Sequence, residues 1–235
     1  MSNTTIILPT YNERENLPLM LDSLFQLNIS LSVIVVDDNS PDGTGILAQE
    51  RARMHPEIHV IVRTNEKGLG TAYIKGFRAA LENHFEYIVT MDCDFSHSPH
   101  DIPRLLSALK DADLVIGSRY ISGGKTTNWP WHRRLLSVSA NSFTRCLMGL
   151  TTRDCTSGFR VFRSGLLSSL LNSPTYSTGY SLHVELLWKA VRKLGACVRE
   201  VPIEFVERKK GKSKISIKEV INGIKALIKV KYLCL

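Results

Sequence analysis

The 235-residue chain lacks the features of a membrane-spanning, disulfide-stapled or fibrous protein. No stretch approaches the ~18 apolar residues that a transmembrane helix needs. Its five cysteines (Cys93, Cys146, Cys155, Cys197, Cys234) are odd in number, scattered, and form no Cys-x-x-Cys. That argues against a disulfide framework or a zinc site and suits a reducing cytosol. The opening MSNTTIILPTYNE has no basic segment followed by an apolar one, so no secretory signal is expected. Internal repeats and low-complexity tracts are missing too. With 43% hydrophobic and 22% charged residues, disorder, collagen and coiled coil are excluded. The length allows one large domain, or at most two, with a substantial core.

Acidic residues are also in deficit, 22 against 30 Lys and Arg, for a formal charge of +8. This suggests an anionic partner: nucleic acid, a phosphorylated ligand or an anionic membrane. The charge is uneven. Residues 207–235 hold nine basic and two acidic side chains, +7 in 29 residues, so the other 206 carry only +1. The basic character belongs to the tail.

What is present is an alternation. Thr5–Leu8, Ser32–Val36, His59–Val62, Tyr87–Met91 and Asp113–Ile116 are β-branched or apolar runs of strand length. Between them, Glu15–Leu27, Thr44–Met54, Thr71–Asn83 and Asp101–Asp111 read as helices. Strand, helix, strand with short links predicts an α/β fold with a mostly parallel central sheet flanked by helices. Continuous Val/Ile runs fit strands buried on both faces. After residue 120 the pattern loosens. Ser122–Pro130 reads as a loop, Arg134–Leu150 as a helix, and Ser157–Arg160 as the start of a strand. His183–Leu194 reads as a helix, Ala196–Val206 as an edge or bulged strand because of Pro202, and residues 216–233 as a Lys-rich amphipathic helix.

In such sheets ligands bind at the carboxyl ends of strands. Those ends carry Pro9-Thr-Tyr-Asn-Glu13, Asp37-Asp38, Asp92-Cys-Asp94 and Gly117-Ser-Arg119. Two carboxylates at i and i+2 just past a strand offer hard oxygen ligands to Mg²⁺ or Mn²⁺, whose remaining positions a diphosphate can fill. Asp37-Asp38 could accept hydrogen bonds from a base or ribose, or could cap the next helix before the turn Ser40-Pro-Asp-Gly43. Gly68-Leu-Gly70 could let backbone approach a ligand. It is no Walker motif and lacks the third glycine of a dinucleotide fingerprint, so NAD binding is not supported. Arg119, Arg133, Arg134, Arg208 and Lys214 could meet phosphate. The loop Arg208-Lys-Lys-Gly-Lys-Ser-Lys214 could close over a diphosphate or, as a bare sequence, bind nucleic acid.

Together these segments closely resemble the dolichol-phosphate (polyprenol-phosphate) mannosyltransferases of glycosyltransferase family 2. The match runs through Leu8-Pro-Thr-Tyr-Asn-Glu13 with Asn16, Val36-Asp-Asp38 with Ser40-Pro-Asp-Gly-Thr44, Gly68-Leu-Gly70 and Met91-Asp-Cys-Asp94. It continues with Gly117-Ser-Arg-Tyr120, Asn128-Trp129, Thr156-Ser-Gly-Phe-Arg160, Glu200-Val-Pro-Ile203 and Arg208-x-x-Gly-x-Ser-Lys214. Nine segments in order span nearly the whole chain.

The resemblance implies a single GT-A catalytic domain over residues 1–214, followed by the basic helix of 215–235. It implies inverting transfer of a hexose, mannose from GDP-mannose, to a polyprenyl phosphate. The alternative is a family-2 enzyme with another donor, such as UDP-glucose, or another acceptor. Pro9, Tyr11, Glu13, Val36 and Asp38 match the nucleotide pocket. Asp92, Cys93 and Asp94 match the Asp-x-Asp segment, with Asp94 the direct ligand of Mg²⁺ or Mn²⁺ and Asp92 near sugar or metal. Arg119 matches the arginine near the donor. Arg133 and Ser137 match the acceptor-phosphate positions, and Arg208 and Lys214 the loop over the donor diphosphate. Asp94, Asp92, Arg119 and Arg133 are thus the expected catalytic set.

The chain departs from the family pattern in four places. Cys93 stands for the usual Ala, Val138-Ser139 for Arg-Gly, Lys212 for Glu and His183 for Gln. The expected partners are a nucleotide sugar, a polyprenyl phosphate, a membrane surface and a membrane-anchoring protein, with no nucleic acid. The expected location is the cytoplasmic face of a membrane. The 215–235 helix, with Ile217, Val220, Ile221, Ile224, Leu227 and Ile228 broadly on one side, could lie in a bilayer interface or pack on the body as a cap.

Overall fold

The computed structural model describes residues 3–177, 179–207 and 217–233. Seven strands form the main sheet: β1 (Thr4–Thr10), β2 (Leu31–Asp37), β3 (Ile58–Val62), β4 (Tyr87–Thr90), β5 (Leu114–Ser118), β7 (Arg160–Arg163) and β8 (Val198–Pro202), in the order β3-β2-β1-β4-β7-β5-β8. β1, β2, β3 and β4 run parallel, with Pro9 beside Val36 and Thr10 beside Asp37. β7 is antiparallel to both β4 and β5, so β5 points the same way as β4. The carboxyl ends of β1, β2, β4 and β5 therefore share one edge. β6 (Lys125–Thr127) and β9 (Glu204–Val206) pair separately as a two-stranded sheet.

The continuous apolar runs of β1 and β2 are divided between two cores by the strand period of two. Ile6, Leu8, Val33 and Val35 face α1 (Leu17–Phe25), α2 (Thr44–Met54) and α4 (Ile102–Ser107), meeting Leu21, Leu24, Ala48 and Leu105. Ile7, Ile34 and Val36 face the opposite layer, meeting Tyr73 and Phe77 of α3 (Leu69–Glu82). That layer also holds α6 (Ser164–Leu171), α7 (Ser181–Trp188) and α8 (Ile217–Leu233). α3 lies tight on the sheet because Gly76 leaves room. A Cβ there would sit 2.6 Å from Ile7 Cγ2.

The expected strands and helices of the first 118 residues are present with ends moved by at most four residues. Later elements differ more. Lys125–Thr127, expected as loop, is a strand because β9 pairs with it. Residues 164–171 form a helix that had not been expected. The expected His183–Leu194 helix starts at Ser181 and passes into a π-helical turn at Lys189–Lys193. The expected Ala196–Val206 strand breaks at Ile203 into β8, on the sheet's edge, and β9. α5 (Trp131–Met148) ends at Gly149 (φ 63°), where the Leu150 N–H reaches back to the Arg145 carbonyl at 3.0 Å, a glycine-capped stop.

α8 packs on α7, and its Leu227 and Val230 are buried in the core. Lys231 Nζ donates to the Leu147 carbonyl at 2.8 Å. Part of the apolar side of this helix is thus used in the body, while Ile228 is 41% exposed. Among the described residues no helix is long and apolar enough to cross a membrane.

Candidate active site

At the end of β2 the two aspartates do different jobs, and neither caps α2, whose N-cap is Gly43. Asp37, fully buried, accepts from Thr10 Oγ1 (2.9 Å) and from the Ser40 N–H (2.9 Å) and hydroxyl (2.6 Å). It ties the ends of β1 and β2 together. Asp38 pairs with Arg63, whose Nε donates to Oδ1 at 2.7 Å and whose Nη2 meets the same oxygen. Asp38 Oδ2 accepts the Gly68 N–H at 2.8 Å, while Arg63 Nη2 reaches the Gly68 carbonyl at 2.9 Å. The Gly68–Gly70 turn is thereby fastened to the end of β2. Lys67, just before it, lies over the Tyr11 ring at 5.5 Å. Glu13 is part-buried, accepts from Asn16 Nδ2 (2.8 Å), and its N–H donates to Thr44 Oγ1 (3.0 Å). Pro9 is half-buried. Val36 is fully buried under α3, so only its backbone can meet a ligand.

After β4 the chain turns sharply through Asp92–His97. Phe95 takes φ 60°, a left-handed conformation that costs a non-glycine residue about 1–3 kcal/mol. Asp94 Oδ1 accepts the Ser96 N–H (3.0 Å), and the Asp92 N–H donates to His97 Nδ1 (3.2 Å). His97 is buried, stacked on Phe159 (5.0 Å) with Phe205 edge-on (5.2 Å). Burial, aided by the Arg119 charge, lowers its pKa to about 4 against the pull of Asp94. A neutral ring keeps the Nδ1 lone pair that the Asp92 N–H needs. Cys93, between the aspartates, is buried.

After β5 comes Arg119, and the sequence reading missed its main partner. Asp154, fully buried, accepts the Arg119 backbone N–H (3.0 Å), Nε (2.7 Å) and Nη2 (2.7 Å). Burial works to raise the Asp154 pKa, but Arg119 outweighs it and holds the carboxyl below its usual range. Glu200 of β8 in turn accepts the Asp154 N–H at 3.0 Å. Arg119 Nη2 also donates to Thr156 Oγ1 (2.9 Å), which Asn141 of α5 contacts as well.

The residues expected on the acceptor side lie on α5. Arg133 forms an ion pair with Glu207 and stacks on Trp129, 4.4 Å from guanidinium carbon to ring centre. Ser137 Oγ receives the Tyr120 hydroxyl at 2.7 Å. Trp129 Nε1 is buried with no hydrogen-bond partner among the described residues. β9 links the two sides: Phe205 touches both His97 and Trp129, and the Val206 N–H bonds the Ser96 carbonyl at 3.2 Å. Arg208 and Lys214 lie outside the described residues.

One edge thus carries the carboxylates of Asp92 and Asp94 together with Arg119 and Arg133, which are paired with Asp154 and Glu207. That combination suits a phosphorylated substrate that brings a divalent cation with it.

His183 is not on this edge. It is buried beneath it, edge-on to Tyr73 at 4.9 Å, and its Nδ1 has no partner among the described residues. Burial first, then the nearby Arg160 charge, depresses its pKa well below the ordinary value. The unfolded chain, with His near 6.5, takes up a proton that the folded one refuses. This contribution to stability is therefore complete above about pH 6.5 and is lost as pH falls. His183→Gln should flatten the fall in urea midpoint between about pH 7 and pH 5. An unchanged fall would show that His183 does not titrate this way.

The profile described as glycosyl transferase family 2 matches residues 5–171. A polyprenol monophosphomannose synthase of Mycolicibacterium smegmatis is 46% identical over 215 residues, 91% of this chain and 81% of that protein. An undecaprenyl-phosphate mannosyltransferase of Micrococcus luteus is 47% identical over 210 residues, 89% and 86% of the two chains. Among solved structures, glucosyl-3-phosphoglycerate synthase of Mycobacterium tuberculosis, bound to Mn²⁺ and UDP, superposes with a TM-score of 0.67 at 20% identity, over 97% of this chain and 77% of that one. A mannosyltransferase of Pyrobaculum calidifontis with GDP-Man and Mn²⁺ gives 0.64 at 20% identity, over 97% and 62%. These two likenesses concern the fold alone, and the fold is GT-A.

Proposed function

The chain belongs to glycosyltransferase family 2, and from that premise we propose that it transfers mannose from GDP-mannose to a polyprenyl phosphate. The observation that carries this reading is the 46–47% identity to two relatives named for that chemistry. The arrangement of the strand edge supports it.

The nucleotide lies across Pro9, Tyr11, Glu13, Asp38 and the backbone of Val36. Asp94 and Asp92, flanking Cys93, are the residues that would hold Mg²⁺ or Mn²⁺. Two oxygen-bearing carboxylates at a strand end would suit such a hard cation. When bound, it supplies charge stabilisation to the departing diphosphate. Arg208 and Lys214 are assigned to that diphosphate, and Arg119 faces the donor from the side buttressed by Asp154.

The acceptor phosphate goes to Arg133 and Ser137. It takes the place of the Glu207 carboxylate on Arg133, an exchange of one anion for another on the same guanidinium. A phosphate monoester is mostly dianionic at neutral pH, its second pKa being about 6. Its oxygen needs no strong general base. It forms a bond to the anomeric carbon as the bond from that carbon to the GDP oxygen breaks, and the centre inverts. Orientation of the two phosphates by basic side chains is the protein's main contribution.

Residues 1–214 are assigned to the catalytic domain, and the segment 215–235, which contains α8, to an element attached to it. The protein works as a peripheral protein at the cytoplasmic face of a membrane, where a membrane-anchoring subunit is a further expected partner.

The test is radiolabelled GDP-mannose or UDP-glucose incubated with protein, Mg²⁺ or Mn²⁺ and polyprenyl phosphate, followed by organic extraction. Label should enter the lipid phase from GDP-mannose. Label from UDP-glucose alone, or from neither donor, would refute the assignment.

A further inference from the structure

α5 is built inside out. A helix on a soluble protein turns its apolar stripe inward and its polar face to water. The α5 residues buried against the body are Asn141, Thr144 and Met148, two of them polar. Its outward residues include Trp131 (77% exposed), Leu136 (71%), Leu135, Phe143 and Val138. Five of the twelve large apolar side chains exposed among the described residues lie on this one helix. Clustered exposure of that kind marks an interaction surface, whereas scattered singles do not.

The charge around the face selects the partner. α5 contains His132, Arg133, Arg134 and Arg145 and no acidic residue. Arg133 is paired with Glu207, but an apolar face on a helix whose own charged side chains are all cationic is the composition of a helix that lies in an anionic lipid interface. Position agrees, for the same helix carries Arg133 and Ser137. α8, the other amphipathic helix, buries Leu227 and Val230 in the core, so part of its apolar side is already covered.

We propose that the outer face of α5 is the surface by which this protein lies on an anionic bilayer, presenting Arg133 and Ser137 at headgroup level. This deepens the polyprenyl-phosphate reading, in which the acceptor's phosphate sits at that level and its hydrocarbon tail in the membrane.

The test is sedimentation with protein-free vesicles, without donor or acceptor, so that its result is independent of transfer. The wild-type chain should sediment with phosphatidylcholine vesicles containing a minority of phosphatidylglycerol, and less with phosphatidylcholine alone. The triple variant Leu135→Gln/Leu136→Gln/Phe143→Gln should lose at least about tenfold in partitioning. Leu136→Gln alone should shift it in the same direction. Leu19→Gln/Met54→Gln, which removes exposed apolar groups on α1 and α2, should bind as wild type. All these positions are exposed, so thermal melting should be unchanged, and transfer to a short, water-soluble prenyl phosphate should persist in the triple variant. The proposal is overturned if the triple variant sediments like wild type, if the α1/α2 variant loses as much, or if the wild-type chain sediments only with protein-containing membranes. That last outcome would assign the face to a protein partner. Vesicle binding without any lipid-extractable sugar would leave this surface standing and refute the transfer reaction.

Discussion

Asp94→Ala should lower mannosyl transfer by about three orders of magnitude or more while the protein melts close to the wild-type temperature. The two halves of this expectation have separate physical sources. Asp94 is nearly buried at the end of β4, and its Oδ1 receives the Ser96 N–H at 3.0 Å. Losing such a hydrogen bond costs about 1 kcal/mol, a small part of the stability of a chain with two large apolar cores. The effect on rate is large because the negative charge on the leaving diphosphate grows as the sugar departs, and the carboxylate that would hold the compensating cation is gone. Asp94→Asn, which keeps the shape and one acceptor oxygen, should melt like wild type and be almost as inactive. Asp92 is more exposed, and its N–H is held by His97, so Asp92→Ala should be milder. The measurements are initial rates of lipid-extracted label in saturating Mn²⁺, beside thermal melts. Turnover by Asp94→Ala near the wild-type rate, or wild-type turnover that survives exhaustive chelation, would remove the Asp-x-Asp from the reaction.

What could be read from the chain before its structure was the part governed by local rules. The apolar runs at residues 5–8 and 32–36 and the helical spacing of Leu17, Leu21 and Leu24 depend on neighbours a few residues away. They marked the right elements and put the right strand ends on one edge. What escaped was set by distant partners. Lys125–Thr127 has no strand pattern of its own and becomes β6 because β9, some 80 residues later, pairs with it. β7 lies antiparallel between β4 and β5, an arrangement its own four residues do not encode. In the site, the aspartates and arginines were conspicuous as residue types, but their pairings were not. Asp38 is tied to Arg63 at a separation of 25 residues, Arg119 to Asp154 at 35 and Arg133 to Glu207 at 74. Asp154 sits two residues before the recognisable Thr156–Arg160 segment and gave no sign of its partner. The inverted α5 escaped for a different reason. A helix with one polar and one apolar side reads the same in either orientation, and only the fold decides which side is buried.

Asp154→Ala should be the most destabilising of the site substitutions and should also abolish transfer. Asp154 is fully buried, and the Arg119 side chain is only 9% exposed. Three hydrogen bonds join the two groups, at 2.7, 2.7 and 3.0 Å. Removing the carboxylate leaves a guanidinium with Thr156 Oγ1 as a remaining acceptor, surrounded by the rings of Tyr120, Trp129 and Phe205 at 5.1–5.9 Å. Breaking a buried pair on one side costs about 3–5 kcal/mol, because the surviving charge is neither solvated nor compensated. For a domain of this size that corresponds to a fall in Tm of about 10 °C. The double variant Arg119→Met/Asp154→Leu separates this cause from mere loss of packing. With both charges replaced by apolar groups the penalty of an isolated ion disappears, so the double variant should melt above Asp154→Ala. Activity should not follow stability, since the double variant still lacks the arginine at the donor and should be as inactive as the single one. Asp154→Asn, keeping one acceptor oxygen for the fork, should fall between wild type and Asp154→Ala in both melting and rate. If Asp154→Ala melts like wild type, or the double variant melts below it, then Arg119 does not depend on Asp154 for its charge compensation, and Asp154 has another task.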